Sequence, residues 1–335
     1  MPTVSVVIVN YNGRDFLGET LASLQRQSLP PLEVVVADNA STDGSREWLR
    51  EAFPQVRVVA LESNLGFAEG CNRAAAVASG ELLGLLNSDA VADPGWLAES
   101  VRALDEHPRA AAAVPKILSG SRPGHIEQAG ALFNNLGHYW GRGFGEPDDG
   151  RYDEPAEVPG LTACAAVVRR AALGGAPPFD GELFLYAEEF DLTLRLRAAG
   201  HAIRYAPRAV VRHLGMRSIS AASPQPRVLQ QFYCNRNRMK ILAKYYPASV
   251  LLRGAPLVLM SLAYWNAFFL RAAGPRFLAR AVMAQARFAA HGLRERWRGR
   301  GVDAAAWLPW MERMGLRRVL AVRDRLRAGD GGPAT

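Results

Sequence analysis

Four polar segments in the first part of the chain each follow directly on an apolar run: Asn10-Tyr11-Asn12-Gly13, Asp38-Asn39-Ala40-Ser41, Asn64-Leu65-Gly66 and Asn87-Ser88-Asp89. Any one alone reads as an ordinary turn, because Asn, Asp, Ser and Gly are the residues turns use. Four in succession put carboxylates, amides and hydroxyls where one polar ligand could meet them all. A second cluster, Glu188-Glu189-Phe190-Asp191, gathers three carboxylates at the start of a helical stretch. Acids there offset the helix dipole, and Asp191 can pair with Arg195 one turn on. A carboxylate in the same place can also serve as a general base. Glu189 faces Leu192 and Thr193 at the next turn, not a cation, and is the freer of the two. No Gly-x-Gly-x-x-Gly follows the first apolar run and no Gly-Lys-Ser/Thr loop occurs, which argues against the usual dinucleotide and P-loop chemistries. Cys71, Cys164 and Cys234 have no paired spacing and are expected to be free thiols in a reducing compartment.

The elements that must position these groups alternate. Short β-branched runs at residues 4–9, 33–37 and 56–60 and the run at 81–86 read as strands buried on both faces. Between them, residues 14–27, about 42–51 (capped by Ser41 or Thr42) and 66–78 read as helices. Asp93-Pro94 is expected to open a further helix, with Asp as cap and Pro in the first turn. Strands alternating with helices imply an α/β fold with a mainly parallel sheet and right-handed crossovers. Ligands of such sheets bind beyond the carboxyl ends of the strands, where the four polar segments fall. Residues 119–160 read as loops with short strands, 158–168 and 203–211 as strands, 188–199 as a helix, and the chain from Arg227 onward as helical.

The strings Val4-Ser5-Val6-Val7-Ile8-Val9-Asn10-Tyr11-Asn12, Asp38-Asn39-Ala40-Ser41-Thr42-Asp43-Gly44-Ser45, Asn64-Leu65-Gly66-Phe67-Ala68-Glu69-Gly70-Cys71-Asn72 and Leu86-Asn87-Ser88-Asp89, followed by Tyr186-Ala187-Glu188-Glu189-Phe190-Asp191 and then His213, resemble family 2 glycosyltransferases in order and spacing. The resemblance covers residues 3 to about 245 and is closest to the rhamnosyltransferase-like branch. It implies a glycosyltransferase A-type fold, a Rossmann-like sheet flanked by helices, and an inverting transfer from a nucleoside-diphosphate sugar, dTDP-rhamnose or a UDP-sugar, to a lipid-linked or cell-surface glycan. It implies Asp38 as partner of the pyrimidine ring, with Asn10, Tyr11, Asn12, Ser41, Asn64, Gly66, Asn72, Asn87 and Ser88 around the donor. It implies Asp89 and His213 as holders of Mg²⁺ or Mn²⁺, with Asn87 where relatives carry the first Asp of Asp-x-Asp. Outside that context a lone histidine is more readily a satisfied, partly buried side chain. The family position of the base is Glu189, with Asp191 supporting or alternative and Glu188 beside it. Two rivals stay open on residues alone, a nucleotidyltransferase and a non-catalytic scaffold that binds a nucleotide or a membrane.

The charge is uneven. Of the net +8, the stretch from Arg271 to Arg300 supplies +7, eight Arg against Glu295. Just before it lie 17 uncharged residues between Arg253 and Arg271. That run is short for a span, which takes about 20 apolar residues. With its aromatic residues and the arginines that follow, it reads as an interfacial region drawn to anionic lipid. No base-reading motif accompanies the basic stretch, so no nucleic-acid partner is expected. No basic segment precedes the first apolar run as a secretory leader would require. The expected organisation is a catalytic unit at 1–245, a helical, membrane-associating extension at 246–327 and a disordered tail at 328–335. The expected place is the cytoplasm, peripheral at the inner face of the cell membrane.

Overall fold

A computed structural model describes residues 2–215, 225–300 and 303–313; the expected tail at 328–335 lies outside the described residues. Strand β1 (Val4–Asn10) is buried along its whole length, as its β-branched run requires. Its alternate residues feed two cores. Val4, Val6 and Ile8 pack with Leu17, Leu21 and Leu24 of α1 (Arg14–Gln25). Val7 and Val9 pack with Ala68, Cys71, Ala74 and Ala75 of α3 (Gly66–Val77), whose small residues allow a close approach. Around β1 the chain adds β2 (Glu33–Asp38), α2 (Ser45–Ala52), β3 (Arg57–Ala60), β4 (Leu82–Leu86), β5 (Ala90–Ala92), α4 (Trp96–Asp105) and β6 (Ala110–Ser119). Next come β7 (Ile126–Gln128), β8 (Ala131–Phe133), β9 (Tyr139–Gly141), β10 (Ala156–Glu157), β11 (Ala165–Arg169), α5 (Glu188–Ala198) and β12 (Ala202–His213). The main sheet runs β10-β12-β6-β11-β4-β1-β2-β3. β1 is parallel to β2 and β4, whereas β11 lies antiparallel between β4 and β6. The sheet is therefore mixed, and Asn10 stands opposite Asp38 at one edge.

Three local expectations change. Ser41 and Thr42 do not cap α2; it starts after Gly44, whose φ of 80° turns the chain left-handed first. Asp93 does not cap α4 through its side chain; its carbonyl accepts from the Trp96 amide (3.0 Å) and closes the preceding turn. Residues 158–168 are a strand only over β11, and β6 was not expected at all. Four consecutive alanines (110–113) carry no strand preference, and Pro115 argues against a central strand. It is accommodated where the β6–β12 register slips, between Ala206 and Val210.

The chain closes on helices α6 (Pro226–Tyr245) and α7 (Ala248–Glu295). By length and composition alone, Ala248–Gly299 is a helix long and apolar enough to cross a membrane. It is not straight. Gly274 leaves the helical region (φ 83°, ψ 176°) just before Pro275, and the two limbs fold back on one another. Gln285 Nε2 donates to Asn266 Oδ1 across the hairpin (3.2 Å), and the rings of Phe269 and Phe277 lie 5.6 Å apart. Val228, Trp265, Phe269 and Ala281 form its inner core. The outer faces leave Leu252, Leu259, Tyr264, Leu270, Met283 and Trp297 exposed.

Candidate active site

The antiparallel pairing of β5 with β12 sets His213 opposite Ala90 and so beside Asp89. His213 Nε2 is 3.3 Å from Asp89 Oδ1, and Nδ1 is 2.6 Å from Glu127 Oε1. Asp89 is almost wholly buried. Burial works to lower the imidazole pKa, but the hydrogen bonds to Asp89 and Glu127 outweigh it and lift the value to about 10. The two carboxylates thus demand a cation between them. A divalent ion fits the same demand: carboxylate oxygen and imidazole nitrogen bind such ions at roughly 2.0–2.3 Å, and two donors 3.3 Å apart can reach one ion. A carboxylate behind the far ring nitrogen is the usual support of a metal-binding histidine. Glu127 was not singled out in the sequence, where no motif marks it; only the β6–β7 pairing brings it here. Asn87 donates its backbone amide to the Cys164 carbonyl (2.9 Å), and the Ser88 carbonyl accepts from Thr20 Oγ1 (2.8 Å), which fixes the turn that presents Asp89.

Glu188 and Glu189 open α5 at the end of a strained loop, where Phe184, Tyr186 and Ala187 all have left-handed φ of 65–66°. Such non-glycine conformations cost about 1–3 kcal/mol each and persist only when their surroundings hold them. Asn237, fully buried on α6, does so: its Nδ2 donates to the carbonyls of Leu183 (2.9 Å), Leu185 (2.9 Å) and Tyr186 (2.6 Å). Burial, then the neighbouring Glu189 charge, pushes the Glu188 pKa far up. Burial raises Glu189 too, but the backbone amide and Glu188 pull it back down. Both carboxyls are thus held toward their neutral forms by burial, Glu188 further than Glu189. The Oε2 atoms of both are buried without a hydrogen-bond partner. Tyr186 feels the charges of Glu188, Glu189 and Asp89, and Cys164 those of Glu127, Asp89 and Glu189, so both carboxylate sites lie within Coulombic reach of the same two side chains.

Asp191 is different. Arg195 Nε (2.8 Å), Lys244 Nζ (3.0 Å) and the Tyr245 hydroxyl all donate to it. Burial would raise its pKa, but Lys244 and Arg195 hold it below the usual range. It is a structural anion tying α5 to α6. Lys244 and Tyr245 were not singled out in the sequence, where no motif marks them.

At the far edge, Asp38 is fully buried. It accepts from Asn10 Nδ2 (3.2 Å), the Ser41 amide (3.1 Å) and Arg46 Nε (2.5 Å). Ser41 Oγ takes the Asn12 amide (2.9 Å), and Asn12 Oδ1 takes that of Thr42 (2.8 Å). Half-buried Tyr11 sits between them. Asn10, Asn12, Asp38 and Ser41 are thus one network at the ends of β1 and β2. Two expectations are redirected. The Asn72 amide is committed to the backbone of Phe179 at both ends (2.9 and 3.0 Å), clipping a loop rather than facing a donor. Gly66, at φ 83°, makes room for the Phe184 carbonyl, which a Cβ would strike; exposed Asn64 caps its amide (2.9 Å). Glu182, His291 and Glu295 also converge closely enough to suggest an ion. Lys240 Nζ already neutralises them, 2.8 Å from Glu182 and 3.4 Å from Glu295, so this is an ion-pair network.

A mixed α/β sheet thus gathers carboxylates and a histidine beyond its strand ends. The sequence model of "Glycosyl transferase family 2" matches residues 5–174, and the chain belongs to that family. It is a glycosyltransferase, which sets the nucleotidyltransferase reading aside. It is 33% identical over 233 residues to an N-acetylglucosaminyl-diphospho-decaprenol L-rhamnosyltransferase of Mycobacterium tuberculosis, covering 62% of this chain and 75% of that one. It is 38% identical over 91 residues to the putative teichuronic acid biosynthesis glycosyltransferase TuaG of Bacillus subtilis, covering 26% and 36%. Among solved structures it resembles GalNAc-T7 with UDP, GalNAc and Mn²⁺ (TM-score 0.57, 18% identity), covering 74% of this chain but only 49% of that one. It also resembles the mannosyltransferase PcManGT of Pyrobaculum calidifontis with GDP-Man and Mn²⁺ (TM-score 0.51, 20% identity), covering 86% and 75%. The fold is the expected glycosyltransferase A-type arrangement with a helical C-terminal extension.

Proposed function

We propose that the protein transfers a sugar with inversion from a nucleoside-diphosphate donor, dTDP-rhamnose first and a UDP-sugar second, to a lipid-linked or cell-surface glycan. The observation that carries this reading is the Asp89–His213 pair, 3.3 Å apart and backed by Glu127, with the buried Glu188–Glu189 pair within Coulombic reach of the same side chains, Tyr186 and Cys164. The network of Asn10, Tyr11, Asn12, Asp38 and Ser41 lines the nucleoside end. Asp89 and His213 would hold Mg²⁺ or Mn²⁺, which when bound offsets the charge of the departing diphosphate. Glu189 takes the proton of the acceptor hydroxyl as it attacks, beside Glu188, whose carboxyl burial holds toward its neutral form. Asp191 holds α5 in place.

The reading assigns catalysis to residues 1–245 and membrane attachment to 246–327, with the chain at the cytoplasmic face. The hairpin's exposed leucines, Tyr264 and Trp297, flanked by exposed Arg271, Arg276, Arg280 and Arg287, support attachment to anionic lipid. The donor test is a thermal-shift panel of dTDP-, UDP- and GDP-sugars with and without Mn²⁺, since a bound donor raises the melting temperature. No shift with any of them sinks the reading. The membrane test is sedimentation with neutral and anionic vesicles. Binding should favour the anionic ones and weaken with salt; equal, negligible binding to both refutes attachment.

A further inference from the structure

Helix α6 carries three buried cations, and two of them are matched. Lys240 meets Asp180, Glu182 and Glu295; Lys244 meets Asp191 and Glu295. The third, Arg238, is 3% exposed and has no carboxylate partner. Its Nη1 donates to His138 Nε2 (2.7 Å) and Ser261 Oγ (2.9 Å). Its Nε and Nη2 are buried and donate to nothing among the described residues. These two nitrogens form one edge of the guanidinium fork, the edge that grips a phosphate or carboxylate through two parallel hydrogen bonds. A buried charge without an anion is expensive, so this edge is built for an anion that arrives with a ligand.

The surroundings say which anion. Arg238 lies between the turn from β8 to β9 and the first limb of the hairpin. Gly137, at φ 75°, lets that turn close onto the Arg238 stem, while His138 and Ser261, which hold its other side, are partly exposed. On the limb, Ser261 stands beside Met260 and close to Tyr264, both exposed apolar side chains. One turn back along α6, the Cys234 thiol is within Coulombic reach of Glu189, Glu188 and Arg238, and Arg238 lies one residue from Asn237, which holds the loop that leads into Glu188 and Glu189. An anion, a sugar hydroxyl at the base and an apolar face leading away are the three parts of one amphiphile.

We propose that Arg238, with His138 and Ser261 at its rim, seats a phosphate of a long-chain alcohol phosphate or diphosphate, the lipid carrier of the acceptor sugar. The assignment rests on the acceptor class proposed above and deepens it. The hairpin's apolar limb takes the chain, and the phosphate fixes the distance at which the sugar hydroxyl meets Glu189.

The test titrates the full-length protein in mild detergent with farnesyl diphosphate, farnesol, inorganic pyrophosphate and UDP by calorimetry. Farnesyl diphosphate should bind at least about tenfold more tightly than farnesol or pyrophosphate, since both the anion and the chain contribute. Arg238→Met should weaken it about tenfold or more, leave UDP unchanged, and melt at or above the wild-type temperature, because an unmatched buried charge is replaced by apolar volume. Arg238→Lys, which keeps the charge and loses the fork, should fall in between and carries the test if the Met variant does not fold. Unchanged farnesyl diphosphate binding in a folded Arg238 variant overturns the proposal. So does pyrophosphate that binds as tightly as farnesyl diphosphate and competes with UDP, which would assign the edge to the donor. A protein that binds nucleotide sugars but ignores farnesyl diphosphate loses this subsite alone; one that does the reverse loses the donor reading alone.

Discussion

The division of labour on α5 is open to a paired test. Asp191→Asn keeps the side chain's shape but removes the negative charge shared by Arg195, Lys244 and Tyr245. Stripping one partner from a buried ion pair costs about 3–5 kcal/mol. Lys244 retains Glu295 at 2.9 Å and Arg195 keeps some access to solvent, so the lower end applies. At about 2 °C per kcal/mol for a chain of this size, the melting temperature should drop by roughly 5–8 °C. Glu189→Gln should leave the fold almost unchanged, because it removes a carboxylate whose charge burial already disfavours. Its turnover should fall by roughly 10²–10⁴, the usual scale for losing a general base. The assay pairs release of nucleoside diphosphate with a thermal melt and a donor titration on the same preparations. Near-normal turnover in Glu189→Gln, or an inactive Asp191→Asn that melts like the wild type, would show that the base is Asp191 and that its cations serve chemistry rather than packing.

Three further outcomes follow from the same geometry. Glu188→Gln should raise the melting temperature at neutral pH: the folded pKa is raised, so the native carboxyl loses stability as pH rises from the unfolded value of about 4.3, and the gain should vanish below that pH; an equal gain at pH 3.5 refutes it. Asn237→Ala removes three hydrogen bonds to the strained loop, worth about 1 kcal/mol each, and should lower kcat more than it changes donor affinity; a pure KM effect would contradict a positioning role. Gly66→Ala forces a Cβ into the Phe184 carbonyl at a left-handed φ and should lower both stability and turnover; a variant with wild-type melting and rate would show that the loop moves freely.

The sheet was legible because its strands are short β-branched runs ended by turn residues, and β1 and β2 lie within a residue or two of where alternation placed them. The strand β6 was hidden by Ala110–Ala113, a run whose propensity favours a helix; burial between β11 and β12, not propensity, makes it a strand. Asp89 and His213 were legible as contexts, but their 3.3 Å meeting depends on the β5–β12 register, which is invisible before folding. Asn72 and Gly66 sit in the expected motif and yet contact Phe179 and Phe184 of this chain, because a motif records which residues occur, not which loop reaches them. The polar residues of α6 gave the least signal. Asn237, Arg238, Lys240 and Lys244 resemble a solvated face in sequence, and all four are buried.

That burial changes what counts as the site. The family match ends at residue 174, within which Asp89 and the nucleoside-end network lie, but Glu189, His213 and all of α6 lie beyond it. Helix α6 draws its counterions from three directions: Asp180 and Glu182 from the loop before the base, Asp191 from α5, and Glu295 from the hairpin's returning limb. Buried ion pairs add little net stability compared with apolar packing, so four carboxylates converging on two lysines are better explained by registration than by strength. They fix the strained loop, α5 and the hairpin relative to one another through α6. An extension that was only an anchor would need no such clasp; one that must hold a membrane-borne acceptor at a set distance from Glu189 would.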